Sequence, residues 1–282
     1  MSWQAVARKD FRDAIRSRAF WAISALFVLL ALSVAGAYGL FPEELGGDPS
    51  PRGLAFFLAN VISTFVAITA ILICYKSVAG ERETGSIKLL LSLPHSRREV
   101  IAGKVLGRTA VLAVPVIGAL LAGVVLGSAL IGAVDPVATA LLLVVALVFA
   151  LTFVSAMVGF SAMTGSSAKA AALTVGVFFV FELLWDVVTI ALVFVASGFT
   201  LPTPANYPAW IYPIMQIPPT SAFLSTLNAV VPGESMGIGA GGVEASTFDA
   251  VFASPWIGAV VLLIWLVVPV AIGSSLFQRA DL

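Results

Sequence analysis

The sequence KSVAGERETGSIKLLLSLPHSRREVIAGKVLGR, residues 76–108, is a polar interruption in a chain that is otherwise strongly apolar. Hydrophobic residues make up 60% of the 282 residues, charged residues make up 11%, and the mean hydropathy is +1.06. The polar residues are too few to cover the surface of a water-soluble protein of this size. We therefore predict that lipid surrounds most of the chain. The interruption holds seven of the 15 lysines and arginines: Lys76, Arg82, Lys88, Arg97, Arg98, Lys104 and Arg108.

Six apolar stretches on either side of this interruption are long enough to cross a membrane. A spanning helix needs about 20 apolar residues, because no water inside the bilayer can hydrogen-bond its backbone. Asp135 and Pro136 separate the third stretch from the fourth, since proline ends a helix and aspartate favours the surface. We therefore predict an all-α, polytopic membrane bundle of six transmembrane helices, at residues 19–40, 54–77, 105–133, 137–163, 170–197 and 256–277.

The distribution of lysine and arginine orients this predicted bundle. Basic residues close to the ends of spans stay in the cytoplasm. Arg52 alone falls on one side, and the other 14 basic residues fall on the opposite side: five in residues 1–18, seven in 76–108, one in 164–169 and one in 278–282. We therefore predict a cell-membrane protein with both termini in the cytoplasm. The cytoplasmic segment at residues 78–104 is called the basic loop below.

The predicted outer side carries one long segment, residues 198–255, which contains no lysine or arginine. Within it, residues 219–231 are apolar but too few to span, so we predict a short helix lying in the outer membrane interface. At the start of the chain, residues 35–37 (Ala-Gly-Ala) resemble a signal-peptide cleavage site. The apolar run before them exceeds the roughly 7 to 15 residues of a signal core, which favours an uncleaved first span.

Residues 2–18 have the pattern of a basic amphipathic helix. Trp3, Val6 and Phe11 fall on one half of a helical wheel, with smaller apolar residues between them. We predict an interfacial helix whose apolar face enters the headgroup region and whose cations meet anionic lipid. The alternative is that the cations serve only to keep the first span oriented. The basic half of the wheel holds Arg8, Lys9, Arg12 and Arg16.

Two short helices are predicted at the basic loop. The first covers the mostly apolar residues 86–93, between Gly85 and Pro94. The second begins at Ser96-Arg-Arg-Glu99, which fits a capping box, and continues into the third span. The apolar surface of the first helix favours docking of a soluble partner. The alternative is that its leucines dip into the lipid interface.

Polar residues inside two spans are candidates for a transport pathway. Glu182 and Asp186 are four residues apart in the fifth span, so both should project from one helix face, which Thr189 continues. A central aspartate costs about 2.5 to 3.5 kcal/mol in a membrane, so the pair needs a reason. In one interpretation the two acids line a substrate route, or relay protons or cations. In the other they fix the packing of helices or a dimer contact. A milder polar stripe in the second span consists of Asn60, Ser63 and Thr64.

Motifs for catalysis, metal binding and nucleotide binding are missing from the sequence. The single histidine, His95, and the single cysteine, Cys74, are not spaced like metal ligands. Gly103-Lys104 lacks the earlier glycine and the following Ser or Thr of a phosphate-binding loop. We therefore expect no metal or cofactor on this chain, and no ATPase activity of its own. An intramembrane enzyme or a proton-coupled secondary transporter using Glu182 and Asp186 is the alternative.

The order of residues in the basic loop resembles the signature of the type-2 ABC transporter permease family: Glu81-x-x-x-Gly85-Ser86, then Leu90-Leu91, Pro94, Ser96-Arg97 and Gly103-Lys104. Residues 9–18 resemble the opening segment of the same family, particularly the subgroup that includes the permease of the nitrous oxide reductase maturation transporter. The resemblance implies the membrane subunit of an ATP-driven transporter, most simply an exporter. Residues 2–18 would be its elbow helix, and the two loop helices its coupling-helix pair.

The partners follow from the same resemblance. It implies a separate cytoplasmic ATPase subunit that carries ATP and Mg²⁺, and a permease that works as a homodimer, with a heterodimer as the alternative. In related exporters the second and fifth spans border the central cavity, which favours a pathway role for both polar stripes. Carried over residue by residue, the positions that would couple to the ATPase are Glu81, Gly85, Ser86, Leu90, Pro94, Arg97 and Lys104.

Overall fold

The computed structural model describes residues 3–41, 49–91, 96–203, 206–231, 233 and 254–281. No strand occurs among them, and six helical segments are long and apolar enough to cross a membrane. This confirms the prediction of an all-helical bundle with six spans. Pro94, residue 2 and parts of the predicted outer segment, residues 204–205, 232 and 234–253, lie outside the described residues.

Twelve α-helices lie in the described part of the chain. They are α1 Trp3–Ile15, α2 Arg18–Leu40, α3 Pro51–Cys74, α4 Ala79–Glu83, α5 Ser86–Leu91, α6 Arg97–Ile131, α7 Pro136–Ala162, α8 Ser167–Phe178, α9 Trp185–Ala196, α10 Ile211–Met215, α11 Pro219–Val230 and α12 Trp256–Arg279. A π-helix at Phe179–Leu184 joins α8 to α9, so these form one continuous span. The other spans are α2, α3, α6, α7 and α12.

Side-chain caps set where several of these helices begin. The Ser50 hydroxyl accepts a hydrogen bond from the Gly53 amide at the start of α3. Asp135 accepts from the amides of the first turn of α7, and Pro136 follows it at the first helical position. The predicted capping box at α6 is present, because the Ser96 amide donates to Glu99 Oε2 at 2.8 Å. These local bonds satisfy amides that a helix start leaves unpaired.

The core of the bundle lies around α3, α6 and α7, of whose most apolar stretches half or more is buried. Small residues on α6 allow close approach of its neighbours. A Cβ at Gly123 would lie 2.8 Å from Leu58 Cδ2, and one at Gly127 would overlap the side chain of Leu54. The pair Gly123 and Gly127 therefore serves packing inside the bundle. Around this core, α2 packs against α6 and α12 packs against α7.

The helix α11 differs in its environment from the predicted interfacial helix. It is packed between α12, α7 and α3, and Phe223 stacks on Phe149 with ring centroids 4.5 Å apart. Protein therefore covers most of its surface in place of lipid headgroups. Ser225 donates to Gln216 Oε1 at 2.7 Å, which satisfies the buried hydroxyl and the amide oxygen, whereas Gln216 Nε2 is buried without a partner among the described residues. The segment between α10 and α11 is also held by two tryptophans: Trp185 donates to the Ile214 carbonyl and Trp265 donates to the Ile217 carbonyl.

Candidate coupling site and membrane pathway

A buried ion pair joins the basic loop to the third span. Lys104 Nζ in α6 lies 2.6 Å from Glu81 Oε1 in α4, and the Lys104 side chain is only 1% exposed. A charge removed from water is costly unless it is paired, so this contact holds α4 against α6. Glu81 Oε2 is buried without a hydrogen-bond partner among the described residues. Two of the seven predicted coupling positions are thus in direct contact.

The helix α1 crosses α6 beside this ion pair. A Cβ at Gly103 would lie 2.7 Å from the Trp3 carbonyl oxygen, and one at Gly107 would lie 2.9 Å from the carbonyl oxygen of Ala7. Only glycine allows the two backbones to approach so closely. Arg108 then pairs with Asp10 at 3.1 Å. The apolar face of α1 is therefore packed partly on protein rather than wholly on lipid.

The other side of α4 is bonded to the ends of two further spans. The Ser161 hydroxyl, at the end of α7, accepts from the Val78 and Ala79 amides at 3.1 Å each and donates to the Tyr75 carbonyl at 2.7 Å. Glu83 Oε2 accepts from the Ser167 amide at 3.1 Å, where α8 begins. A carboxylate is stabilised at a helix N-terminus by the helix dipole. The helix α4 is thereby fixed to α7 and α8.

Arg97 connects the start of α6 to the end of the last span. Its Nη1 donates to the carbonyls of Phe277 at 2.7 Å and Ala280 at 2.8 Å. These carbonyls lie at the end of α12, where the helix dipole favours a cation, and the Phe277 carbonyl also accepts from the Ala280 amide at 3.4 Å. The guanidinium groups of Arg97 and Arg82 also lie 5.6 and 5.9 Å from the ring centroid of Phe277.

The remaining predicted coupling positions lie at the turn between α4 and α5. Gly85 has φ of +75°, a left-handed conformation that glycine adopts without strain. The Ser86 hydroxyl lies 3.0 Å from that of Thr84, and Leu90 belongs to α5. An open groove of about 420 Å³ runs along this turn. Its lining residues are Arg82, Glu83, Thr84, Gly85, Ile87, Lys88, Gly165 and Asp281.

Three contact residues of this assembly were not predicted as site residues. Ser161 and Glu83 act through backbone amides more than 80 positions away in the chain, so no local pattern indicates them. Gly107 follows Gly103 by four residues, and this spacing is a signal for close helix packing. The sequence therefore contained an indication of the α1–α6 contact but none of the bonds between α4 and the ends of α7 and α8.

The two acids of the fifth span have different surroundings. Glu182, in the π-helical segment, accepts from the Thr220 amide at 3.3 Å in the first turn of α11. Asp186 is exposed on the surface of the chain. Thr189 is 2% exposed and donates to the Asp186 carbonyl at 2.9 Å. Glu182 therefore takes the place of the side-chain cap that α11 lacks, whereas the Asp186 side chain faces outward.

The polar stripe of the second span is divided in the same way. Ser63 is buried and donates to the Asn60 carbonyl at 2.7 Å, while the side chains of Asn60 and Thr64 are exposed. The fifth span is also poorly covered, since 11% of its most apolar stretch is buried, against 50–56% in α3, α6 and α7. Polar groups are costly against lipid tails. The exposed polar side chains of the second span and the poorly covered fifth span would therefore be better placed against protein or water than against lipid.

Comparison with known proteins gives one family and two similar relatives. A family model described as ABC-2 family transporter protein matches residues 4–282. The chain is 31% identical over 205 residues to a protein of Stutzerimonas stutzeri named probable ABC transporter permease protein NosY, covering 68% of this chain and 71% of that protein. It is 27% identical over 286 residues to the protein of the same name in Pseudomonas aeruginosa, covering 97% of each.

Proposed function

The chain belongs to the ABC-2 family of transporter proteins, and from this premise we propose that it is a permease driven by a separate ATPase subunit docked on its basic loop. Family membership makes it the multi-pass membrane subunit of an ABC transporter and confirms the resemblance seen in the loop. In the proposal, the chain lies in the cell membrane with both termini and the loop in the cytoplasm, and ATP and Mg²⁺ bind to the partner.

The observation that carries the proposal is the number of spans attached to the short helix α4. The Glu81–Lys104 ion pair attaches it to α6, the Ser161 hydroxyl attaches it to α7, and Glu83 attaches it to α8. The start of α6 is in turn bonded to α12 by Arg97. A force applied to the groove between α4 and α5 would therefore reach four spans through short polar contacts. This arrangement suits an element that transmits motion.

The poorly covered fifth span supports a second part of the proposal, a homodimer with a central route for substrate. Asp186, Asn60 and Thr64 present polar groups at membrane depth on the surface of a single chain. A second copy, or a watered cavity between two copies, would remove these groups from lipid. Glu182 contributes packing with α11 in this arrangement. Export as the direction of transport is proposed on the family resemblance of the loop.

Reconstitution with the partner ATPase tests the docking proposal. Lys88 lies in the groove and is exposed, so Lys88→Glu should reduce stimulation of ATP hydrolysis about tenfold without changing the yield or monodispersity of the permease. Lys169→Glu is the matched control, because Lys169 is also an exposed lysine close to α4 but does not line the groove. Equal ATP hydrolysis with the wild type and Lys88→Glu would argue against docking at this groove.

A further inference from the structure

The helix α1 and the turn that joins it to α2 carry a set of cations without side-chain partners. Within the part of the chain that the structure describes, none of their side chains forms an ion pair or a hydrogen bond. Asp13 is the acid that lies among them on the exposed face of α1, so the surface is positive. A basic surface of this kind attracts an anionic partner from outside the chain. The cations are Arg8, Lys9, Arg12, Arg16 and Arg18, and all of them are exposed.

A narrow apolar slot opens beside the same turn. Its volume is about 150 Å³, and it lies between the α1–α2 turn, α3 and α6. Ser17, between two of the unpaired arginines, and Arg108 line it together with apolar side chains. Arg108 is held in place by Asp10 and by the Ile73 carbonyl at 2.9 Å. The apolar lining includes Phe20, Ile23, Ile73, Val111, Leu112 and Pro115.

The exposed Trp21 indicates that this turn lies at the boundary of the membrane. The span α2 begins at Arg18, and Trp21 one turn later is 65% exposed. The Trp21 indole donates to the Ile15 carbonyl at 3.0 Å, which joins the end of α1 to the start of the span. Exposed tryptophans at the ends of spans lie at the level of the lipid headgroups. Arg16 and Arg18, next to this end of the span, are therefore at the level of lipid phosphates.

We propose that the α1–α2 turn binds one anionic phospholipid, with its phosphate beside Arg16 and Arg18, which flank Ser17 at the slot, and the first part of one acyl chain in the slot. Guanidinium groups bind phosphate oxygens through paired hydrogen bonds, and the apolar lining of the slot suits a hydrocarbon chain. An acidic protein would also meet the cations but would have no use for the slot, so the lipid is favoured. The site requires only that the chain spans a membrane and does not depend on the proposed ATPase.

Native mass spectrometry of the full chain tests this proposal without any partner. The protein is purified in detergent with equal amounts of phosphatidylglycerol and phosphatidylcholine, and the lipids retained on each chain are counted. We expect one phosphatidylglycerol to be retained in preference. Since each basic residue near an anionic lipid favours binding about fivefold, Arg16→Gln with Arg18→Gln should lower this retention by at least about fivefold. Ile23→Trp, which fills the slot, should lower it while leaving the charges unchanged.

The matched control is Arg8→Gln with Lys9→Gln, which removes two exposed charges inside α1, about two helical turns before Ser17 and the slot. It should retain phosphatidylglycerol within about twofold of the wild type. Equal retention of both lipids by the wild type would overturn the proposal. So would an equal loss in both double variants, which would indicate diffuse charge alone. Unchanged lipid retention in Arg16→Gln with Arg18→Gln, together with loss of a co-purified protein, would also overturn it and assign these cations to a protein partner.

Discussion

At the scale of single residues, the ion pair between Glu81 and Lys104 is unequal in its two members. The Lys104 side chain is 1% exposed, whereas that of Glu81 is 33% exposed. Water therefore reaches part of the Glu81 side chain, although not its Oε2 atom, whereas it does not reach the lysine. The cost of breaking the pair depends on which partner is removed, because an unpaired buried charge is the expensive outcome.

This asymmetry gives a prediction for three variants. Glu81→Gln should lower the free energy of unfolding by about 3 kcal/mol, since it removes the charge that compensates the buried ammonium group. Lys104→Met should cost less, because it leaves behind the partner that is less deeply buried. The double variant should recover most of the loss, measured by thermal unfolding in detergent. Losses that simply add in the double variant would show that the two side chains are not coupled.

At the scale of elements, the contact between α1 and α6 depends on backbone approach at glycine. A Cβ at Gly107 would lie 2.9 Å from both the Cα and the carbonyl oxygen of Ala7. Elsewhere on α6, a Cβ at Gly118 would meet nothing within 4 Å. The two positions share a helix and differ in whether another helix covers them.

Alanine substitutions at these glycines should therefore have opposite effects. Alanine favours a helix over glycine by about 1 kcal/mol, so Gly118→Ala should raise the thermal midpoint. Gly107→Ala should lower it despite the same gain, because α1 has to move away, and proteolysis within α1 should become faster. A higher midpoint in both variants would contradict the close packing of α1 on α6.

The hairpin between α6 and α7 gives a prediction that depends on pH. The hydrogen bond from the Ala138 amide, and next the one from Arg52, hold the pKa of Asp135 below its ordinary value of 3.8. The ionised carboxylate therefore stabilises the folded state at neutral pH, and this contribution is lost as the pH falls below about 4 towards the lowered pKa. The protection factors for hydrogen exchange at residues 137–139, which correct for the slower intrinsic exchange in acid, should fall over that range. Asp135→Asn should remove this pH dependence, and a variant with the same acid-induced loss of protection would assign it to another group.

The sequence predicted features that depend on local pattern. Spans depend on the length and composition of one stretch, and the capping box at Ser96 and Glu99 depends on residues three positions apart. Contacts between distant residues were not predictable, as with Arg97 and the α12 carbonyls, which are 180 or more positions apart. The burial of α11 was not predictable for the same reason. It depends on contacts with distant helices, and local pattern does not show that Ser225 and Gln216 are buried and bonded to each other.

At the scale of the whole molecule, the six spans differ in how completely the chain covers them. The second, third and fourth spans are about half buried, while the fifth is 11% buried and carries the exposed Asp186. The short helix α4 is attached to three spans at one end of this bundle. A moving partner at that end would account for the attachment of α4 to three spans. A second copy at the fifth span would account for the poor coverage of that span. Both features therefore support the proposed ATP-driven homodimer.

The most direct test of this account is a photocross-linker placed at position 88, in the groove beside α4 and α5, in the full permease assembled with its ATPase. The account predicts a cross-link to the ATPase from position 88, and none from position 201, which follows the fifth span at its other end. An active complex that cross-links from position 201, or that gives no ATPase cross-link from position 88, would contradict it.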